Sequence, residues 1–401
     1  MQNCKVCIVG GGASGLVTAM ELVKNNADIY DDVIVLETND RVLKKLLATG
    51  NGQANLSNAK ISKDNYYGDT DFISDFFENA KNLDVEKYFS DLGLPFTTLS
   101  DGRKYPLSRQ ANAVVDFIRF YLEKAGVIIK TGEKVEKITS LNDGFLVKST
   151  NLTVNSKVVV LSTGGKAGPQ YGTDGSSYSL ALPFNHKTTK LYPALVQVKT
   201  DTSFTKGLKG LKEYAKVSAF DGKTLLKTAV GDVLFTDYGV SGSAVFQVSG
   251  HLAMAKEPSI NIEFLPDYSE SEIENIILKR QKTVDFLDKT DLLLGILNKK
   301  IGQAVVKTAS KLDAKTVAHA VKNFSLKVKG TLDFNYAQVT KGGIDTKFIN
   351  PITLESKLQK GLYFTGEIMN VDGDCGGYNL DFAFKSSIVC ATAIKKYLIS
   401  K

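Results

Sequence analysis

The chain has 401 residues, 43% hydrophobic and 23% charged, ordinary proportions for a globular protein and too many residues for one simple core. Fifty basic against 43 acidic residues leave a formal charge of +7, spread without a basic run interleaved with aromatics, which argues against a nucleic-acid partner. No stretch is apolar for long enough to span a bilayer, no basic leader opens the chain, and four cysteines are too few for a disulfide scaffold, so the sequence reads as cytoplasmic.

The first predicted element is a short apolar strand, KVCIVG at 5–10, of the kind buried on both faces of a parallel sheet. Cys4 and Cys7 spell C-x-x-C, but in a strand such positions point to opposite faces, so the pair reads as structural. Leu16, Ala19, Met20 and Val23 recur at helical spacing, and VIVLE at 33–37 gives a second strand. Between the first strand and the helix lies GGGASG, in which Gly10, Gly12 and Gly15 match G-x-G-x-x-G. The first glycine permits a tight turn, the second lets backbone approach a pyrophosphate, and the third lets the helix pack on the strand. Glu37 ends the second strand, where a carboxylate accepts hydrogen bonds from a ribose hydroxyl. Its separation of 27 residues from Gly10 exceeds the usual roughly 20, through the connection NNADIYDD.

Helices are predicted at about 70–92 and 110–125, strands through 127–162, and irregular strands from 191 to 264. Ser269 and Glu272 form a capping box that opens a helical stretch, before strand character returns beyond 330 and a helix closes the chain from about 380 to 397. The order implies an α/β fold: a Rossmann-like dinucleotide-binding domain, parallel sheet with helices, at 1–188 and 330–401. It is interrupted by an insert at 189–329, β-barrel-like to 265 and helical from 266. Near the C-terminus, a strand ends in Gly366-Glu367 and a second glycine turn, Gly376-Gly377, starts a helix. A carboxylate after that strand suits ribityl hydroxyls, and amide donors at the helix start suit the edge of a flavin where negative charge gathers on reduction.

The segments VGGGASGL, KKLLATGNGQANLSN, LSTGGKAGPQYGTDG, LFTDYGVSG, AQVTKGGI and GLYFTGEIMNVDGDCGGYNL run in order along the whole chain. Through them the sequence resembles the YhiN/BaiN-like family of NAD(P)/FAD-dependent oxidoreductases, flavoproteins of the two-dinucleotide-binding-domain type with aminoacetone-oxidase-like relatives. The resemblance implies FAD held by Gly10, Gly12, Ala13, Ser14, Gly15 and Glu37, with Lys45, Gly52 and Asn55 on the flavin side. It adds Val135, places Thr163 and Gly164 near the adenosine end, and has Gly366, Glu367, Gly377, Asn379 and Leu380 close the site. Two departures stand out: Gln53 and Ala54 replace an Arg and a Cys usual in the second block, and Asp237 stands where the family often has a histidine.

Catalytic residues are not assigned by the sequence; Asp237, Tyr238 and Arg109 are candidates, the first two for proton movement and the Arg for gripping an anion. Asp237 before Gly239 equally suits a plain turn. Cys375 reads as a loop cysteine, and His186, His251 and His319 lie outside the matched segments. No metal-ligand spacing is present. A second complete glycine fingerprint is missing, so NADH or NADPH would visit the flavin only transiently. The leading expectation is NAD(P)H-linked reduction of a small organic substrate. Oxidation of an amine, a flavin-containing RNA-binding or RNA-modifying protein, and a non-catalytic FAD scaffold are the alternatives. Oligomeric state is left open.

Overall fold

The computed structural model describes residues 1–24, 32–284 and 288–399. Nearly all of the connection NNADIYDD therefore lies outside the described residues. The chain forms two compact units: Met1–Leu191 together with Val339–Lys401, and Tyr192–Gln338.

The first unit is built on a seven-stranded sheet. Its parallel part runs Ile128–Lys130, Val33–Leu36, Gln2–Val9, Thr153–Leu161, with Ile8 aligned to Val35 on one side and Val160 on the other. Val6, Cys7, Ile8, Val33, Val35 and Val158 to Leu161 are wholly buried, which is why these runs are continuously apolar rather than alternating. Cys4 and Cys7 are buried in that first strand, and the four cysteines of the chain are all free.

One edge of Thr153–Leu161 is shared. Its first half pairs antiparallel with Gly144–Ser149, itself joined to Val135–Leu141. Its second half, Val159–Leu161, pairs parallel with Leu362–Phe364. A strand from the end of the chain thus lies beside one from its first half. The predicted helix at 70–92 is two helices, Thr70–Asn79 and Val85–Asp91, each begun by an aspartate N-cap, Asp69 and Asp84. The helix at Ala111–Lys124 and the closing helix at Tyr378–Ile399 fall close to expectation.

The second unit contains a closed barrel, in the order Val198–Thr200, Gly239–Ser241, Thr224–Phe235, Lys212–Asp221, Pro258–Phe264, Phe324–Thr331. Its helices include Glu270–Thr283, Lys299–Thr308 and Ala314–Lys322, and the Ser269–Glu272 capping box is formed. One expectation is corrected here: 324–329 is not helical. Phe324, Leu326 and Val328 alternate inward against Ser325, Lys327 and Lys329, a period of two that closes the barrel. Among the described residues, no helix is long and apolar enough to cross a membrane.

Candidate functional site

The glycine turn after Val9 does what its three positions require. Gly10 has φ +108°, and a Cβ on Gly15 would lie 1.9 Å from the carbonyl oxygen of Gly10, so only glycine lets the helix Ala13–Val23 sit this close. Gly12, the residue before the helix, behaves differently: a Cβ there would meet nothing within 4 Å. No side chain caps that helix start, so the positive end of its dipole is left without a side-chain partner.

Glu37 is buried and its carboxylate is well used. Oε2 accepts the Gly11 N–H at 2.7 Å, and Oε1 accepts the Asn39 N–H at 2.8 Å and its side-chain amide at 2.6 Å. A carboxylate offers about four acceptor positions, so one remains for a hydroxyl. The Glu37 carbonyl accepts the Glu133 N–H at 2.8 Å, which brings the segment leading to Val135 alongside.

The C-terminal return closes on this turn. Thr365 donates its amide to Leu161 O at 3.1 Å and its hydroxyl to Ser162 at 2.9 Å. Thr163 follows, with Oγ1 buried and unpartnered, and then Gly164 at φ +73°. Gly366, also at φ +73°, lies against Ser14, and its amide donates to Ser386 Oγ at 3.0 Å. Ser387 donates to the Ser14 carbonyl at 2.7 Å, so two adjacent serines fasten the closing helix to this turn. Glu367 takes Lys45 Nζ at 2.7 Å on one oxygen and the Thr340 amide at 2.8 Å on the other.

The second glycine turn is equally constrained. A Cβ on Gly377 would stand 2.4 Å from the Ser57 carbonyl and 2.8 Å from Asn55 Oδ1, itself buried without a partner. Gly50, Asn51 and Gly52 are three successive left-handed residues, and the Gly52 position opens onto free space. Asn379 is turned inward: it accepts the Gly373 N–H at 2.8 Å and donates to the Gly373 and Asp374 carbonyls, so its side chain holds the loop. Leu380 packs on the core.

Sequence reasoning missed two buried charge pairs in this region. Asp381, in the first turn of the closing helix, accepts Ser57 Oγ–H at 2.7 Å and pairs with Lys385 at 3.1 Å. Burial raises its carboxyl above the ordinary range against the pull of Lys385. Asp372 pairs with Lys341, whose Nζ lies 3.3 Å from both carboxylate oxygens and 4.6 Å from the centre of the Tyr67 ring. Burial pushes Asp372 up to about 6; Lys341 opposes this, while Asp374 and Glu367 add to it. The signal was present as three acids in one segment, Glu367, Asp372 and Asp374, but nothing in it marked which was buried with a lysine from elsewhere.

Other candidates fall differently. Arg109 is exposed, at φ +52°, and donates Nε–H to Gln53 at 2.9 Å. Asp237 and Tyr238 belong to the second unit; Asp237 is exposed and paired with Lys209, and Tyr238 accepts the Thr200 amide through its carbonyl. His186 is buried and bonded to Ser356, while exposed His319 pairs with Glu270. Among the described residues no group of acids, histidines and cysteines is placed to hold a metal.

Gly10, Gly12, Ser14, Gly15, Glu37, Thr163, Gly366 and Glu367 therefore form one linked set, and Asn55 and Gly377 a second. Open space at Gly12, an uncapped helix start and two unpartnered buried oxygens fit a dinucleotide, whose phosphates need amide donors and whose hydroxyls need carboxylate and amide partners.

Comparison with known proteins agrees with this geometry. Residues 4–393 match the family model described as the HI0933-like protein Rossmann domain. The chain is 33% identical to the 3-dehydro-bile acid delta(4,6)-reductase of Clostridium scindens over 97% of this chain and 98% of that protein. It is 27% identical to the ribosomal RNA dihydrouridine synthase of Haemophilus influenzae, over 98% and 99%. The fold is shared with the 3-ketosteroid-delta4-(5alpha)-dehydrogenase of Rhodococcus jostii RHA1, at TM-score 0.51, 16% identity, and 98% and 97% coverage. With the match running almost from end to end, this chain belongs to the HI0933-like family of Rossmann-domain proteins.

Proposed function

We propose that the chain is an FAD-dependent oxidoreductase that reduces a carbon–carbon double bond conjugated to a carbonyl, using NADH or NADPH as a transient electron donor. The observation that carries the reading is the meeting of Gly366 with Ser14 beside the open Gly12 position, a site made from both ends of the chain. Kinship supplies the reaction class. The names of the Clostridium and Haemophilus relatives both describe reduction of a double bond in conjugation with a ring carbonyl, in a 3-keto steroid and in uracil.

FAD, when bound, carries the hydride chemistry. The chain supplies position and charge. The amides opening Ala13–Val23 hold the pyrophosphate, Glu37 takes a ribose hydroxyl, and the hydroxyl of Thr163 finds a partner. Lys45 and Glu367 orient the ribityl side, while Gly377 and the start of the closing helix direct amides at the pyrimidine edge. The Asp372–Lys341 pair holds a proton in the same unit. Four free thiols, three of them buried, suit a reducing compartment, and we place the protein in the cytoplasm.

A second reading, reduction of a uracil ring within RNA, is favoured by one observation, the end-to-end match to the Haemophilus protein. The deciding experiment is anaerobic: the purified yellow protein is mixed with NADH or NADPH and its visible band followed. Bleaching, then recovery on adding a 4-en-3-one steroid, supports the leading reading; recovery only with uridine-containing RNA supports the second. Absence of bound flavin with no rebinding, or failure of both nucleotides to bleach it, overturns the reading.

A further inference from the structure

We propose that the second unit carries a binding pocket for a phosphate group, lined by Thr202, Thr205, Lys206, Lys209, Thr236 and Asp237. The pocket goes beyond the flavin reading, since every residue in it belongs to the Tyr192–Gln338 unit.

Two hydroxyls carry the argument. Thr205 is 2% exposed, and its Oγ1 is buried with no hydrogen-bond partner. Thr236 Oγ1 is in the same condition, and both residues line the one pocket. An unsatisfied buried polar group costs about 1–3 kcal/mol, and two residues of this one lining carry such a group, which a guest reaching both would satisfy. Neither is a loose side chain. The amides of Thr205 and Lys206 both donate to the Thr202 carbonyl, at 3.1 and 3.0 Å, and Leu208 roots the turn in the barrel core.

Charge decides what kind of guest it is. Asp237, the acid in the lining, is already paired with Lys209, which leaves the charge of Lys206 uncompensated within the pocket. The approach carries both signs, with Asp201 facing the charges of Lys327 and Lys329, so the excess positive charge of the pocket itself rests on Lys206. Thr200 and Asp201, which lead into the pocket, donate their amides to the carbonyls of Tyr238 and Lys327, and Lys327 and Lys329 alternate outward on that closing strand. Gly207, at φ +88°, puts no side chain over the opening; a Cβ there would meet nothing within 4 Å. Ammonium and hydroxyl donors around a small space suit a tetrahedral oxyanion better than a water, which needs no excess positive charge. Two sources carry that chemistry: the 2′-phosphate of NADPH and the phosphodiester of an RNA strand.

The test uses the flavin-loaded full chain and inorganic phosphate as probe, read by isothermal titration calorimetry. Wild type is expected to bind phosphate, and Thr205→Val with Lys206→Met to weaken it at least about tenfold, while Thr205→Ser, which keeps the hydroxyl, retains binding. Loss in the double variant of a preference for NADPH over NADH supports the nucleotide source. Loss of salt-dependent anisotropy with a labelled RNA oligomer supports the RNA source. The pocket is refuted if wild type takes up no phosphate or if the double variant binds it equally well. Far-UV circular dichroism and flavin bleaching by NADH, both expected to be unchanged in the double variant, keep misfolding and any failure of the flavin reading separate from this outcome.

Discussion

Gly366 and Ser14, 352 positions apart in sequence, are in contact: a Cβ built on Gly366 falls 2.6 Å from Ser14 Oγ and 2.8 Å from its Cβ. Because Gly366 also has φ +73°, Gly366→Ala meets strain and overlap together, each of about 1–3 kcal/mol. The expected result is a protein with a lower urea midpoint that emerges from purification with little flavin. Ser14→Gly in the same chain removes the overlap but not the backbone strain, so it should recover part of the stability. No recovery at all would show that the contact is not what limits the variant.

Glu37 offers a cleaner test of cofactor binding. Its two oxygens serve Gly11 and Asn39 at the same time, and Glu37→Gln replaces one acceptor oxygen with a donor that opposes an N–H. Hydrogen bonds to a charged acceptor contribute about 1.5–3 kcal/mol each, so FAD affinity should fall at least tenfold. Titration of apoprotein with FAD, followed by quenching of flavin fluorescence, measures it. An unchanged dissociation constant would remove Glu37 from the binding set.

How far the sequence discloses this site depends on whether the chemistry is local. Gly10, Gly12, Gly15 and Glu37 are legible because a strand, a turn, a helix and a strand follow each other, and each position has a fixed job within that unit. Gly377 is legible for the same reason, as a glycine turn at a helix start. Lys341 with Asp372, and Ser57 with Asp381, are not legible, because each pair joins residues 31 or 324 positions apart through packing. Asn379 shows a different limit. It sits in a matching segment, yet its side chain is spent on the Gly373–Asp374 backbone. The span 324–329 falls in the helical half of the insert only through a boundary placed at 329; the period-two alternation of Phe324, Leu326 and Val328, too short to stand out beside the preceding helix, makes it a strand.

The buried Asp372 sets a direction for stability with pH. Its folded pKa, about 6, is raised above the ordinary 3.8, so its stabilising effect is complete below about pH 3.8 and is lost as pH rises through 6. Asp372→Asn removes that dependence. Relative to wild type it should gain stability between pH 4 and 7, by about 3 kcal/mol at most. Lys341→Met should do the reverse, since loss of the ammonium leaves the carboxyl protonated to still higher pH. Chemical denaturation of holoprotein at several pH values reads both.

His186 works in the opposite sense, and the two together make the sharper experiment. The ring is 1% exposed, 4.7 Å from that of Phe364, with Nε2 bonded to Ser356 at 2.7 Å and Nδ1 buried without a partner. Burial lowers its pKa to about 4, against a small upward pull from Asp345. A histidine depressed in this way contributes stability that is fully present above about pH 6.5 and is lost as pH falls toward 4. His186→Gln should therefore leave a curve that falls as pH rises from 4 to 6, by about 3 kcal/mol at most, while Asp372→Asn leaves one that rises over the same range. In wild type the two slopes largely cancel between pH 4 and 6, so a flat wild-type curve is uninformative and the single variants must be compared with each other. Curves that diverge in opposite directions place one neutral histidine and one partly protonated aspartate in the folded protein; parallel curves would mean that neither group titrates as its surroundings dictate.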